Sequence, residues 1–147
     1  GEHPTTLSCL RAVLRHANSA HRCLDVGTGS GVLAIAAAQR GMEAWGIDIE
    51  PDSVSAALEN AERNGVSIRA DQTSLADIEG QFELVVANLF AEVIVMLSND
   101  LKRVTSRHLA VAGVLTDRAD TVVSALSPMK VLGRVEEGDW THMEFGW

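Results

Sequence analysis

The chain is poor in cysteine and in aromatic residues. Its 147 residues contain two cysteines, Cys9 and Cys23, and no tyrosine. Two cysteines at this spacing form neither a disulfide framework nor a CxxC metal site, and Cys23 lies in an apolar segment that is typical of a buried, inert thiol. We expect no signal peptide, and every apolar run of the sequence is far shorter than the ~20 residues that span a bilayer. We therefore expect a cytoplasmic protein with no membrane partner.

Basic residues are also scarce. The chain has 12 Lys and Arg against 20 Asp and Glu, which gives a net charge of -8 at pH 7. Binding to phosphates requires clusters of Lys and Arg, so this balance argues against direct contact with nucleic acid. It is compatible with a basic protein partner, although most acidic proteins are simply soluble. The length and the hydrophobic content of 46% indicate one globular domain with a core of its own, and they leave the oligomeric state open.

Helical and strand patterns alternate along the whole chain, which predicts an α/β fold with a mainly parallel sheet. The predicted helices lie at 4–17, 30–40, 51–64, 92–104 and 117–126. The predicted strands lie at 22–26, 43–47, 66–70, 82–87, 109–115, 130–135 and 141–145, and the last two form an antiparallel pair. Residues 73–80 are predicted to form a turn or a single helical turn. In such a sheet, ligands bind beyond the carboxyl ends of the strands.

The segment DVGTGSG, from Asp25 to Gly31, is the most informative motif. It joins a predicted strand to a predicted helix and carries Gly27, Gly29 and Gly31 at alternate positions. A strand, a glycine turn and a helix form a socket in which backbone N–H groups face a ligand. A dinucleotide fingerprint requires Gly or Ala at position 32, where this chain has Val32. The favoured ligand is therefore S-adenosylmethionine, which has no pyrophosphate, and an NAD-dependent oxidoreductase is the weaker alternative.

Polar residues follow the first four predicted strands. Asp48 is placed to accept the ribose hydroxyls of a nucleoside, although it could also serve the dipole of the next helix. Asp25 is placed to face the amino group of a methionine moiety, and Asp71 is either an adenine contact or a solvated loop residue. Asn88 and the backbone carbonyl of Leu89 can hold an amine and aim its lone pair at a methyl group. The alternative for Asn88 is an ordinary strand-end turn.

The histidines show no metal-binding spacing in the sequence. There is no HExxH motif, and a GxSxG nucleophile elbow is also missing. We therefore expect no metal site. Only one histidine, His3, stands beside a candidate motif, HPTT; the five histidines are His3, His16, His21, His108 and His142.

The sequence resembles the class I S-adenosylmethionine-dependent methyltransferases in five strings: HPTT, DVGTGSGVLAIAAA, GIDIEPDSV, NAERNGV and VVANLFAEV. They are most similar to the catalytic domain of the PrmA family, which methylates ribosomal protein eleven of the large subunit on lysine side chains and the α-amine. The likeness continues through VAGVL to EEGDW and covers essentially the whole chain. It implies a Rossmann-like sheet of seven strands, mostly parallel with an antiparallel last strand, and helices on both faces.

The resemblance and the residue patterns together give one set of expected site residues. Those expected to bind the cofactor are Thr6, Asp25, Gly27, Thr28, Gly29, Gly31, Asp48, Ile49, Asp71 and Asn88. Those expected to be catalytic are Asn88 and Leu89. The expected reaction is methyl transfer from S-adenosylmethionine to an amine nitrogen of a protein. The alternatives are a module that binds this cofactor without turnover and a methyltransferase for a small-molecule acceptor.

The sequence also differs from the family pattern in places. Arg107 and His108 stand where the family usually has a Gly-Gly turn before strand five, and Ala112 stands where a serine is usual. We expect residues 1–147 to form a single methyltransferase domain that lacks the N-terminal recognition domain of the family. The abrupt start favours a piece of something longer.

Overall fold

The computed structural model describes residues 4–147, so His3 of the HPTT motif lies outside the described residues. The strands are β1 (Arg22–Val26), β2 (Glu43–Ile47), β3 (Arg69–Asp71), β4 (Phe82–Asn88), β5 (Thr105–Leu115), β6 (Lys130–Glu137) and β7 (Trp140–Gly146). The helices are α1 (Pro4–His16), α2 (Val32–Gln39), α3 (Pro51–Arg63), α4 (Ala91–Val104) and α5 (Ala119–Leu126). Two short 3-10 turns lie at Leu75–Asp77 and Thr116–Arg118.

The seven strands form one sheet in the order β3-β2-β1-β4-β5-β7-β6. The strands β1 to β5 pair in parallel, and β7 is antiparallel to both of its neighbours, β5 and β6. Since β6 and β5 both oppose β7, β6 runs in the same direction as the first five strands. The predicted fold class, with its antiparallel last strand, is confirmed. The carboxyl ends of six strands therefore meet at one edge of the sheet.

Helices cover both faces of this sheet, as predicted, and each face has its own core. One core joins α4 and α5 to residues such as Val85 and Ala87 of β4. The other joins α1 and α2 to Leu84 and Val86 of the same strand. Successive side chains of a strand point to opposite faces, so the unbroken apolar run in β4 supplies both cores.

The outermost strand, β6, is different, because all eight of its residues are exposed. Its apolar residues Val131, Leu132 and Val135 are 41%, 52% and 55% exposed. Its pairing with β7 is regular except for a register shift between Val131 and Gly133. One edge of the sheet is therefore open along a complete strand.

Strand three begins later than the sequence pattern predicted. The prediction of 66–70 is wrong at its start, since β3 covers Arg69–Asp71. The chain after α3 still completes the end of that helix: Gly65 adopts a φ of +67°, and the N–H of Val66 donates to the carbonyl of Ala61 at 3.1 Å. Apolar residues next to a helix end were thus mistaken for a strand.

Strand five begins earlier than predicted, at Thr105, directly after α4. The Thr105 hydroxyl donates to the carbonyl of Leu101 at 2.7 Å, which closes the helix at the first residue of the strand. His108 pairs with Leu84 of β4. Arg107 and His108 therefore lie inside the strand and not in a turn before it, because pairing with the neighbouring strands holds them extended.

The other helices and strands lie within two residues of their predicted bounds. Among residues 4–147, no helix has both the length and the apolar character that crossing a lipid bilayer requires.

Candidate functional site

Three adjoining cavities lie at the carboxyl edge of the sheet. The Asp48 cavity has a volume of about 480 Å³ and includes Gly27, Asp48 and Ile49 in its wall. The glycine-loop cavity, of about 210 Å³, is formed around the turn from Gly27 to Ser30. The Phe90 cavity, of about 430 Å³, lies between the start of α1 and the start of α4. Shared wall residues connect them: Gly27 joins the first two, Leu89 joins the first and third, and Thr6 and Asn88 join the last two.

The glycine loop packs so closely against its surroundings that there is no room for a side chain at Gly27 or Gly31. Gly27 and Gly31 have φ values of +79° and +88°, in the left-handed region that favours glycine. A Cβ at Gly27 would lie 2.7 Å from Leu89 Cδ2, and one at Gly31 would lie 2.9 Å from Ala57 Cβ. The loop therefore needs glycine at both positions for reasons of space as well as conformation.

Asp48 turns its carboxylate toward the glycine loop. Its Oδ2 accepts the N–H of Gly29 at 2.9 Å, and its Oδ1 accepts the N–H of Glu50 at 3.0 Å. The N–H of Glu50 is a backbone group just before α3, so Asp48 serves the loop and the helix entry together. A carboxylate has about four acceptor positions, and two remain for hydroxyl groups of a ligand.

Asp25 lies beneath the loop, and the walls of the three cavities do not include it. Its Oδ2 accepts the hydroxyl of Thr28 at 2.8 Å, while its Oδ1 is buried and has no hydrogen-bond partner within residues 4–147. The side chain is 1% exposed. Burial raises the pKa of the Asp25 carboxyl to about 7, since removal from water disfavours the charged form. A carboxyl that titrates near neutral pH thus lies directly under the ligand-facing loop.

Asp71 serves the structure of the cavity wall. Its carboxylate accepts Trp45 Nε1 at 3.1 Å, Arg69 Nε at 2.9 Å and the N–H of Thr73 at 3.1 Å. Burial works against the charged form, but these hydrogen bonds outweigh it and hold the pKa of Asp71 below its ordinary value. The wall of the Asp48 cavity contains the next residues along the chain, 72–75, and not Asp71 itself.

Asn88 and Leu89 form a pair of hydrogen-bond acceptors at the end of β4. Asn88 Oδ1 and the Leu89 carbonyl oxygen each lie 3.0 Å from the position that a Cβ would take at Gly113. Asn88 Nδ2 donates to Thr6 Oγ1 at 3.3 Å, which ties the amide to α1. Gly113 has a φ of +84° and leaves the space that both oxygens occupy. The structure therefore brings together the acceptor pair that the sequence predicted.

The Phe90 cavity is the part of the site that sequence reasoning missed. Its wall combines Leu89, Phe90 and Val93 with Trp140 at the start of β7. Phe90 is 66% exposed, so its ring is accessible to a molecule that enters this cavity. The strings ANLF and EEGDW carry these two aromatic residues, but nothing in the spacing of positions 90 and 140 shows that they share one cavity.

The sequence-predicted residues thus divide into two groups. Those that line the cavities are Thr6, Gly27, Thr28, Gly29, Asp48, Ile49, Asn88 and Leu89. Three others lie behind the walls. Asp25 and Asp71 were described above, and Gly31, the residue just before α2, packs on Ala57 of α3. Outside the site, the fold brings together two histidines whose sequence spacing gave no sign that they meet. The rings of His16 and His108 stack with their centroids 4.1 Å apart.

Comparison with known sequences gives consistent matches. The family model described as "Ribosomal protein L11 methyltransferase (PrmA)" matches residues 1–146. A ribosomal protein L11 methyltransferase of Geobacter sulfurreducens is 43% identical over 146 residues, covering 96% of this chain and 48% of that protein. That of Thermus thermophilus is 40% identical over 152 residues, covering 99% of this chain and 60% of that protein. The chain spans about half the length of the curated relatives that it matches.

Solved structures lead to the same group. The crystal structure of a ribosomal protein L11 methylase from Lactobacillus delbrueckii subsp. bulgaricus has a TM-score of 0.93 and 32% identity, and covers 99% of this chain and 80% of that chain. An RNA methyltransferase from Salinibacter ruber, solved with S-adenosyl-L-homocysteine, has a TM-score of 0.75 and 21% identity, and covers 99% of this chain and 93% of that chain. The second match shows a shared fold alone.

Proposed function

The chain belongs to the ribosomal protein L11 methyltransferase (PrmA) family, and from this premise we propose that it transfers a methyl group from S-adenosylmethionine to an amine nitrogen of a protein. The observation that carries the proposal is the arrangement of three joined cavities around one glycine loop, with the Asp48 carboxylate fixed on that loop. The relatives are named for ribosomal protein L11, which makes this basic ribosomal protein the first acceptor to test.

The residues present fit S-adenosylmethionine. The Asp48 cavity receives the nucleoside, with the free acceptor positions of Asp48 for the ribose hydroxyls and apolar contacts from Ile49 and Leu75 for the base. The glycine-loop cavity receives the methionine part, and the partnerless Oδ1 of Asp25 places a carboxyl beneath it. When bound, the cofactor supplies an electrophilic methyl group on a sulfonium cation.

The Phe90 cavity suits the methyl acceptor. Its apolar wall, which includes Phe90, Val93 and Trp140, can hold the alkyl part of a lysine side chain. Asn88 Oδ1 and the Leu89 carbonyl accept hydrogen bonds from the two protons of a neutral amine, which leaves the nitrogen lone pair directed away from them. This pair of oxygens orients the nucleophile without taking a proton from it.

The acceptor amine must be neutral to react. A lysine amine has a pKa of about 10.4 in water, and an apolar wall disfavours the charged ammonium form. The wall of the Phe90 cavity contains no carboxylate, histidine or lysine within the described part of the chain. The proton therefore leaves to solvent, and positioning of the amine supplies most of the acceleration that the protein provides.

The test uses binding and turnover in sequence. Calorimetric titration of the protein with S-adenosylhomocysteine should give one binding site, and Asp48→Ala should abolish this binding. Glu50 lies in the wall of the same cavity, and Glu50→Gln is the control that should retain binding. Transfer of a radiolabelled methyl group from S-adenosylmethionine to purified ribosomal protein L11 should then follow. If Asp48→Ala bound S-adenosylhomocysteine as well as Glu50→Gln does, the proposed binding site would be wrong. Tight binding without transfer to L11 or to other basic proteins would contradict the activity and identify a binding module.

A further inference from the structure

Two histidines and a glutamate meet at the edge of the sheet opposite the three cavities. His16 ends α1, His108 lies in the first half of β5, and Glu144 lies in the second half of β7. His16 is ten residues beyond Thr6 on the same helix, which corresponds to about 15 Å at the rise of an α-helix. This cluster is therefore separate from the proposed cofactor and acceptor sites.

The three side chains place their ligand atoms close together. One nitrogen of each histidine and one oxygen of Glu144 all lie within 4.8 Å of one another. His16 Nε2 and Glu144 Oε1 are 2.8 Å apart. The imidazole rings stack with centroids 4.1 Å apart and planes inclined by 19°. His108 Nδ1 is buried and has no hydrogen-bond partner within residues 4–147, although buried polar atoms in folded proteins are nearly always paired.

We propose that His16, His108 and Glu144 bind a zinc ion. Two imidazole nitrogens and one carboxylate oxygen are a ligand set that Zn²⁺ uses when it keeps a fourth position for water. With bonds of about 2.0–2.2 Å in a tetrahedral site, the ligand atoms lie about 3.4 Å apart. The present separations, from 2.8 Å to at most 4.8 Å, bracket that value. Binding therefore requires the two rings to rotate out of their stack, so that one nitrogen of each faces the ion.

The surroundings give the ion a route to the three side chains. Glu144 and Arg15 line a groove of about 300 Å³ between α1 and the open sheet edge, through which an ion and its water can enter.

One arginine and two cysteines are the other side chains to consider, and none of the three prevents binding. Arg15 Nη2 lies 3.1 Å from Glu144 Oε1, but its side chain is 55% exposed and can move into solvent. The thiols of Cys9 and Cys23 are buried, and burial raises the pKa of Cys9 to about 12. A thiol in that state is a poor zinc ligand, because zinc binds the thiolate.

The experiment is a calorimetric titration of chelator-treated, metal-free protein with Zn²⁺ in a buffer that does not coordinate metals. The wild type should bind one equivalent. His108→Gln and Glu144→Gln should each weaken binding about tenfold or more, since they remove a ligand. His21→Gln changes an exposed histidine outside the cluster and should bind as the wild type does.

Thermal unfolding provides a second measurement that does not depend on methyl transfer. A fixed concentration of Zn²⁺ that saturates the wild type should raise the unfolding midpoint of the wild type and of His21→Gln equally, and should raise that of both ligand variants by less. Circular dichroism in the absence of zinc shows whether each variant folds. If His108→Gln does not fold, the comparison of Glu144→Gln with the wild type tests the proposal. Absence of binding to the wild type would overturn the proposal, as would equal affinity in all four proteins.

Discussion

Asn88 Oδ1 lies beside the carbonyl oxygen of Leu89, and Gly113 leaves room for both atoms. If this pair orients the acceptor amine, Asn88→Ala removes one of two fixed hydrogen-bond acceptors and leaves the Asp48 cavity, which Asn88 does not line, intact. We expect kcat to fall by about 10²-fold, which is typical for a lost positioning contact, while the Kd for S-adenosylhomocysteine changes little. Single-turnover methyl transfer and calorimetry measure the two quantities. An equal loss in both would assign Asn88 to cofactor binding.

Asp48 holds the glycine loop with charged hydrogen bonds. Asp48→Asn keeps the shape of the side chain but removes its charge and replaces one acceptor oxygen with a donor. Hydrogen bonds to charged groups contribute about 1.5–3 kcal/mol, so the affinity for S-adenosylhomocysteine should fall about 10- to 100-fold. The matched control is Glu50→Gln, which removes a charge from the same cavity wall and should have little effect on the Kd.

Asp25 makes the stability of the fold depend on pH. Its pKa is raised from 3.8 to about 7 by burial, so the native state favours the protonated carboxyl. This contribution to stability is fully present below pH 4 and is lost as the pH rises through 7. Asp25→Asn is neutral at every pH and should gain unfolding free energy relative to the wild type, on the order of a few kcal/mol, between pH 5 and pH 8.

The measurement for Asp25→Asn is urea unfolding of both proteins at several pH values. Comparing the two proteins removes the contribution of all other titrating groups, since these are common to both. A difference in unfolding free energy that stays constant from pH 5 to pH 8 would contradict the raised pKa.

At the scale of single elements, the register shift in β5 between Val111 and Val114 is the clearest case in which a backbone feature positions functional atoms. Gly113 and Gly41 have similar φ values, +84° and +89°, but only Gly113 is crowded: a Cβ there would lie 3.0 Å from Asn88 Oδ1, whereas nothing lies within 4 Å of one at Gly41. Alanine at either position costs about 1–3 kcal/mol of backbone strain. Gly113→Ala should in addition lower kcat strongly, and Gly41→Ala should not.

Comparison of the two glycine variants by thermal unfolding and by methyl transfer separates strain from displacement. Similar losses of stability with unequal losses of kcat would support the assignment. Equal activity in the two variants would show that the Asn88 and Leu89 oxygens do not need their present positions.

The elements themselves show which parts of the fold a sequence pattern can predict. β4 contains an apolar run from Leu84 to Ala87, and α3 begins at Pro51. Both signals are local, so the positions of these elements were predicted to within a residue or two. The starts of β3 and β5 were missed, because each depends on where a neighbouring strand begins to pair. The hydrogen bond of Thr105 to Leu101 shows that a helix and a strand can meet without any turn residue between them.

At the scale of the whole molecule, the site is assembled from segments far apart in the chain. The glycine loop, Asp48 and Asn88 follow successive parallel strands, so the α/β pattern alone placed them at one edge. Trp140 reaches the same edge because β7 reverses direction after β6. His16 and His108 are 92 positions apart in sequence and meet only because α1 crosses β5. Local sequence patterns carry no information about contacts between such distant residues. For this reason the sequence did not predict that Phe90 and Trp140 share a cavity, or that His16 and His108 stack.

The open strand β6 has a consequence for how this protein behaves at high concentration. An unpaired strand edge is a template on which another chain can add. Here the bulge between Val131 and Gly133 bends the edge, and the side chains of Lys130, Arg134 and Glu136 place charge along it. Replacing Arg134 with a β-branched apolar residue should therefore increase self-association relative to the unsubstituted protein, detectable by light scattering as the sample is concentrated. A few charged side chains on β6 thus protect the open edge of the sheet against aggregation.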